Sequence, residues 1–232
     1  MKNTSEGYEK FIVTCSGSIL TRRIVISAAH CFDRGVPIYP ENIRVGVTRI
    51  DQKRSQDRKI KNVKIHPDHN KKDWYFDVAL IFLEEKLIFT HRISSLCFPE
   101  KPYEHPGIGR AVTVQGWGEN GRDIGMQVSE TTIIVRSKIE CDYRFSRAGP
   151  SVIDSVRAFL PRLTNSTLIC ADSSVDSQAG ACHGDSEGPA FIRSVQFNKT
   201  CARTFLLKVF CRSSSSILSC WDSNWQSKHM FS

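Results

Sequence analysis

Ala181-Cys182-His183-Gly184-Asp185-Ser186-Glu187-Gly188-Pro189 is the stretch on which the reading of this 232-residue chain turns. It sets a serine between an aspartate and a turn rich in small residues. Two further segments stand upstream, Ser27-Ala28-Ala29-His30-Cys31 and Phe76-Asp77-Val78-Ala79-Leu80-Ile81. A serine hydroxyl is a poor nucleophile by itself. It needs a base to take its proton and a carboxylate to orient that base. A His, an Asp and a Ser in this order supply those parts. One such segment alone is a weak signal, and three in order are a strong one.

The three segments resemble the signatures of the chymotrypsin/trypsin-like serine peptidases: small-Ala-Ala-His-Cys, Asp-hydrophobic-Ala-Leu and Gly-Asp-Ser-Gly-Gly-Pro. The resemblance runs from about Phe11 to Phe191. It implies a serine-type endopeptidase that acts on a protein or peptide through an acyl-enzyme. In that reading Ser186 is the nucleophile, His30 the general base and Asp77 the group that orients His30. The backbone N–H groups of Gly184 and Ser186 would form the oxyanion hole, where a glycine lets the main chain approach the substrate. Asp185 would pair with an amine freed by zymogen cleavage. Gly180, six residues before Ser186, would leave the specificity pocket uncharged and favour apolar or large side chains. No cofactor or metal is implied.

Short apolar runs punctuated by Gly, Pro, Asn and Asp recur along the chain. Examples are Ile24-Val25-Ile26, Val45-Gly46-Val47, Val78-Ala79-Leu80-Ile81-Phe82-Leu83, Ala111-Val112-Thr113-Val114 and Thr131-Thr132-Ile133-Ile134-Val135. Spacing of this kind predicts an all-β domain. The resemblance selects two six-stranded antiparallel barrels with the active site between them. The chain is then a single domain over 1–232. The first barrel covers about 11–98, a connector about 99–109, and the second barrel about 110–211. The remainder, 212–232, is an aberrant tail. It lacks the Ser-Trp-Gly segment and closing strand of the family, so the second barrel is expected to be incomplete at its C-terminus. Between Ser151 and Leu163, apolar residues at Val152, Ile153, Val156, Phe159 and Leu160 predict a helix ended by Pro161.

Hydrophobic residues form 40% of the chain, which argues against disorder. No apolar run approaches the roughly 20 residues that span a bilayer. The opening Met1-Lys2-Asn3-Thr4-Ser5-Glu6-Gly7 has no apolar signal core. Nine cysteines nevertheless argue for an oxidising compartment and secretion, with the signal sequence missing from the chain. By resemblance Cys15 pairs with Cys31 beside His30. Cys141 pairs with Cys170, closing a loop of about 30 residues and contributing about 3–4 kcal/mol. Cys182 has Cys211 as its nearest candidate, and Cys97 matches a position that tethers an upstream chain. Cys201 and Cys220 have no assigned partner.

Three departures from the family pattern sustain a second reading. Glu187 stands where the family has glycine, adding a Cβ and a negative charge beside the nucleophile. Met1 to Lys10 contain no activated N-terminus to pair with Asp185, so the oxyanion loop is expected to resemble a zymogen. The tail departs as described. The alternative is thus a catalytically impaired homologue acting as a binding or regulatory module, or a truncated gene product.

The net charge of +8 gathers in Lys53-Arg54, Arg58-Lys59, Lys61, Lys64 and Lys71-Lys72, which the resemblance places on a surface loop of the first barrel. A solvated basic loop is the plainer reading, and contact with a polyanion is the other. Calcium needs converging oxygen ligands, and this loop offers only Asp51 and Asp57 among many cations. Nucleic acid is not an expected partner.

Overall fold

Hydrophobic patterning shapes the N-terminal half around one central strand, and the candidate site forms at that strand's first residues. A computed structural model describes residues 13–33, 39–70, 76–96, 107–117, 127–137, 139, 140, 143, 168–173, 189–194, 201–210 and 218–222. Five strands build the first sheet: β1 (Ser18–Ile19), β2 (Ile24–Ser27), β3 (Asn42–Val45), β4 (Gln56–Ile65) and β5 (Ala79–Leu83), in the order β1-β2-β5-β4-β3. All pairs are antiparallel. Among the described residues the first half is this curled five-stranded antiparallel sheet, consistent with the expected two-barrel fold.

β5 reads as an unbroken apolar run because both of its faces are covered. Ala79, Ile81 and Leu83 pack with Val25, Ala28, Cys31, Phe32 and Leu87 on one side. Val78 and Leu80 pack with Ile26 on the other.

β4 is half-exposed, and its pattern changes phase midway. Gln56, Arg58 and Ile60 are partly covered, then Val63 and Ile65. The register against β5 shifts between Ile60 and Asn62, and that extra residue moves the inward positions from even to odd numbers. Arg58, Lys59, Lys61 and Lys64 thus lie on a strand, not on a surface loop as expected. Pairing with β3 and β5 on either side keeps the segment extended. The lysines stay exposed because they take the outward positions of the pleat.

Asp51 and Asp57, the only acids considered for calcium, both engage arginines. Arg44 donates to both oxygens of Asp57, at 2.8 and 2.6 Å, across the β3–β4 ladder where the two residues are in register. Arg49 holds Asp51 in the same two-pronged way at 3.1 and 3.0 Å. The Arg44 guanidinium, by hydrogen bonding, pulls the Asp57 carboxyl below the usual range.

The second sheet comprises β6 (Ala111–Gly116), β7 (Ser129–Val135), β8 (Leu168–Ser173), β9 (Pro189–Ser194), β10 (Cys201–Phe210) and β11 (Leu218–Asp222). They close into a barrel in the order β10-β11-β8-β7-β6-β9. Alternation in β6 and β7 sends Val112, Val114, Ile133 and Val135 inside, where Ala171, Ala190 and Phe191 are also buried. Part of the segment read as a tail takes part in this sheet. Leu218–Asp222 pairs with β10 on one edge and β8 on the other, which satisfies both backbone edges without the family's sequence pattern. Its register sets Cys220 opposite Cys170. The two sheets meet where Arg49 bridges Gln127 and the Val128 N–H donates to the Thr48 carbonyl at 2.7 Å.

Cys15 and Cys31 form a disulfide with their Cα atoms 6.4 Å apart. The expected pairs Cys141–Cys170 and Cys182–Cys211 each involve a residue outside the described ones, as does Cys97. The helix expected over Ser151 to Leu163 also lies outside them.

Candidate active site

Antiparallel register explains why two residues 47 positions apart meet. The β2–β5 ladder ends with Ser27 opposite Ala79. One step beyond that end, the chain leaving β2 must face the chain entering β5. Those segments carry His30 and Asp77.

The small residues before His30 are dictated by space. Ala28 and Ala29 are fully buried, so larger side chains there would strike the core. The buried Ser27 hydroxyl donates to the Ser16 carbonyl at 2.7 Å. His30 then opens a short 3-10 turn, His30–Phe32, closed by the Phe32 N–H on the Ala29 carbonyl. The Cys31 disulfide ties that turn to Cys15. Three constraints therefore hold the backbone that presents the imidazole.

Asp77 is held as firmly from its own side. Phe76 adopts φ +51°, a left-handed conformation that costs a non-glycine residue roughly 1–3 kcal/mol. The Val78 N–H closes a tight turn onto the Phe76 carbonyl at 2.7 Å. The Phe76 ring stacks on buried His66 with centroids 4.7 Å apart, a contact that offsets the strain.

The Asp77 side chain is only 4% exposed, against 27% for His30. A carboxylate so buried is costly unless its oxygens accept hydrogen bonds. The His30 backbone N–H donates to Oδ1 at 2.8 Å, and His30 Nδ1 lies 2.8 Å from Oδ2. With Nδ1 donating to the carboxylate, Nε2 is the nitrogen left with the lone pair. That tautomer suits a general base.

A second histidine, absent from the sequence reading, approaches the same carboxylate. His69 Nδ1 lies 4.0 Å from Asp77 Oδ1, and its Nε2 lies 3.4 Å from Asp33 Oδ2. His66-Pro67-Asp68-His69 carries no pattern that announces this, because the approach depends on how β4 pairs with β5.

Gly180, Gly184, Asp185, Ser186 and Glu187 lie outside the described residues. The chain resumes at Pro189, where β9 begins, and there pairs with β6 and β10. Of the expected site residues, the structure brings His30 and Asp77 together.

A sequence model of the family described as trypsin matches residues 2–216. The chain belongs to the trypsin family. It is similar to the serine proteinase stubble of Drosophila melanogaster, 28% identical over 186 residues that make up 78% of this chain and 22% of that protein. It is likewise similar to the clotting factor G beta subunit of Tachypleus tridentatus, 26% identical over 218 residues covering 87% of this chain and 68% of that protein. Phenoloxidase-activating factor 1 of Holotrichia diomphalia is 29% identical over 208 residues, 81% of this chain and 52% of its own length. The chain thus spans between about a fifth and about two thirds of the length of these relatives. No helix among the described residues of this trypsin-like chain is long and apolar enough to cross a membrane.

Proposed function

We propose that this trypsin-like domain is a secreted serine endopeptidase, and the observation that carries the reading is the doubly hydrogen-bonded His30–Asp77 pair. In this mechanism His30 Nε2 takes the proton from Ser186 Oγ as the hydroxyl attacks the scissile carbonyl. The negative charge that develops on the carbonyl oxygen is met by the N–H groups of Gly184 and Ser186. His30 then returns the proton to the leaving amine, and water hydrolyses the acyl-enzyme by the same route in reverse. Asp77 stays ionised throughout, holding the imidazole and stabilising its charged form.

Asp185 would pair with an amine freed by upstream cleavage, and Cys97 would tether the chain so released. An uncharged pocket at Gly180 favours apolar or large side chains. The Cys15–Cys31 disulfide fits an oxidising, extracellular setting.

Glu187 favours a second reading, that of a homologue which keeps the pair but not the turnover. A fluorophosphonate probe separates the two. Labelling of the oxidised full chain at Ser186, abolished in S186A, supports the peptidase. Labelling absent from the native fold supports the binding module.

A further inference from the structure

We propose that His69 is a positioning residue for the Asp77 carboxylate, tying it to Asp33 at the end of the turn that carries His30. The inference rests on the proposed role of Asp77. Its ground is topological. β5 is the central strand, and each of its two neighbours delivers one histidine to the residues that precede it. β2 runs on into His30, whose Nδ1 and N–H occupy both Asp77 oxygens. β4 runs on through the His66 N–H bonded to the Val78 carbonyl at 2.9 Å, and its next turn delivers His69.

That turn is built to hold a ring still. The His69 N–H donates to the His66 carbonyl at 3.0 Å, and the Asp68 N–H donates to His66 Nδ1 at 3.1 Å. His66 itself is buried and stacked on Phe76, the residue before Asp77. The His69 side chain is 5% exposed and stands between Asp77, at 4%, and Asp33, at 14%. Asp33 directly follows the His30–Phe32 turn, and its N–H donates to the His30 carbonyl. The imidazole therefore lies between the carboxylate that orients His30 and the C-cap of the turn that presents it. Displacing the ring frees Asp77 to rotate away from His30 Nδ1, and shifts of about 1 Å in such groups lower turnover steeply.

The test uses His69→Leu, His69→Gln and Asp33→Asn in the oxidised full chain, with circular dichroism as the check on folding. The first readout is the low-field proton resonance of His30 Nδ1–H in the bond to Asp77, which needs no turnover. The second is kcat and KM on a peptide substrate. The expected result is a weakened or lost resonance in H69L, with kcat lower on the order of tenfold and KM unchanged. H69Q, which keeps a polar side chain in the same place between Asp77 and Asp33, restores both, and D33N shows a partial loss. A wild-type resonance and kcat in folded H69L overturn the proposal. Should H69L fail to fold, a wild-type resonance and kcat in D33N overturn it instead. Absence of fluorophosphonate labelling in the wild type would sink the peptidase reading alone, because the resonance still reports whether His69 holds Asp77.

Discussion

His30 meets Asp77 twice, through its backbone N–H to one carboxylate oxygen and through Nδ1 to the other, each at 2.8 Å. The backbone bond sets the distance between the two segments, and the ring bond sets the tautomer. Substituting Asn for Asp77 separates these effects. The amide oxygen can still accept the backbone N–H, but an amide N–H facing Nδ1 turns that nitrogen into an acceptor and leaves the proton on Nε2. Asp77→Asn is expected to keep the fold and lower kcat by about 10⁴-fold. Steady-state kinetics beside a thermal melt checks this, and wild-type kcat in folded D77N would exclude the general-base role.

Cys15 and Cys31 close a loop of sequence separation 16 next to the site. Replacing both by Ala is expected to lower stability by about 3 kcal/mol, as loop-closure entropy predicts. For a chain of this size that is roughly 6–12 °C in melting temperature. Calorimetry of the double variant is the measurement, and an unchanged melt would show that the bridge constrains nothing.

Asp57 carries a pH signature. Its folded carboxyl is held low by the Arg44 hydrogen bonds, with partial burial opposing. A carboxyl depressed in the folded state stabilises it above the unfolded value of about 3.9, and that contribution disappears as pH falls through the folded value. The stability gap between wild type and Asp57→Asn should therefore be present at about pH 6 and close under acid. It should be small and salt-sensitive, because the pair is partly exposed. Urea midpoints along a pH series test this, and a gap that widens in acid would contradict it.

Gly46 directly follows β3 with φ +81°, and a Cβ there would come within 2.6 Å of Ile93 Cδ1. Gly46→Ala combines left-handed strain with a clash and should cost about 2 kcal/mol or more. Adding Ile93→Ala should remove the clash while leaving the strain. Chemical denaturation of the double-mutant cycle resolves the two, and a G46A protein as stable as wild type would refute the strain argument.

Much of the framework was legible from local pattern. The alternation in Ala111-Val112-Thr113-Val114 becomes β6 with its two valines inside, and the doubly covered run at Val78 to Leu83 becomes the central strand region. Family motifs say nothing of the pairing made by the tail segment Leu218–Asp222. Leu218–Asp222 closes the barrel with backbone bonds that any extended segment can make. The basic stretch Arg58 to Lys64 reads as a loop in sequence and folds as part of a strand. One bulged residue after Ile60 breaks the alternation that would have marked β4 as a strand.

The chain alone determined the chemistry available at His30 and Asp77, because short motifs record what must fit immediately around a reactive side chain. Two alanines, a cysteine and an apolar flank are the imprint of what packs directly against the backbone there, the bridge to Cys15 included. Only the tertiary structure decided that Asp77 has a second histidine beside it. That neighbour arrives through the pairing of β4 with β5, and register is a property of two strands together. A slip of one residue would turn His69 to the opposite face without changing a letter of either motif.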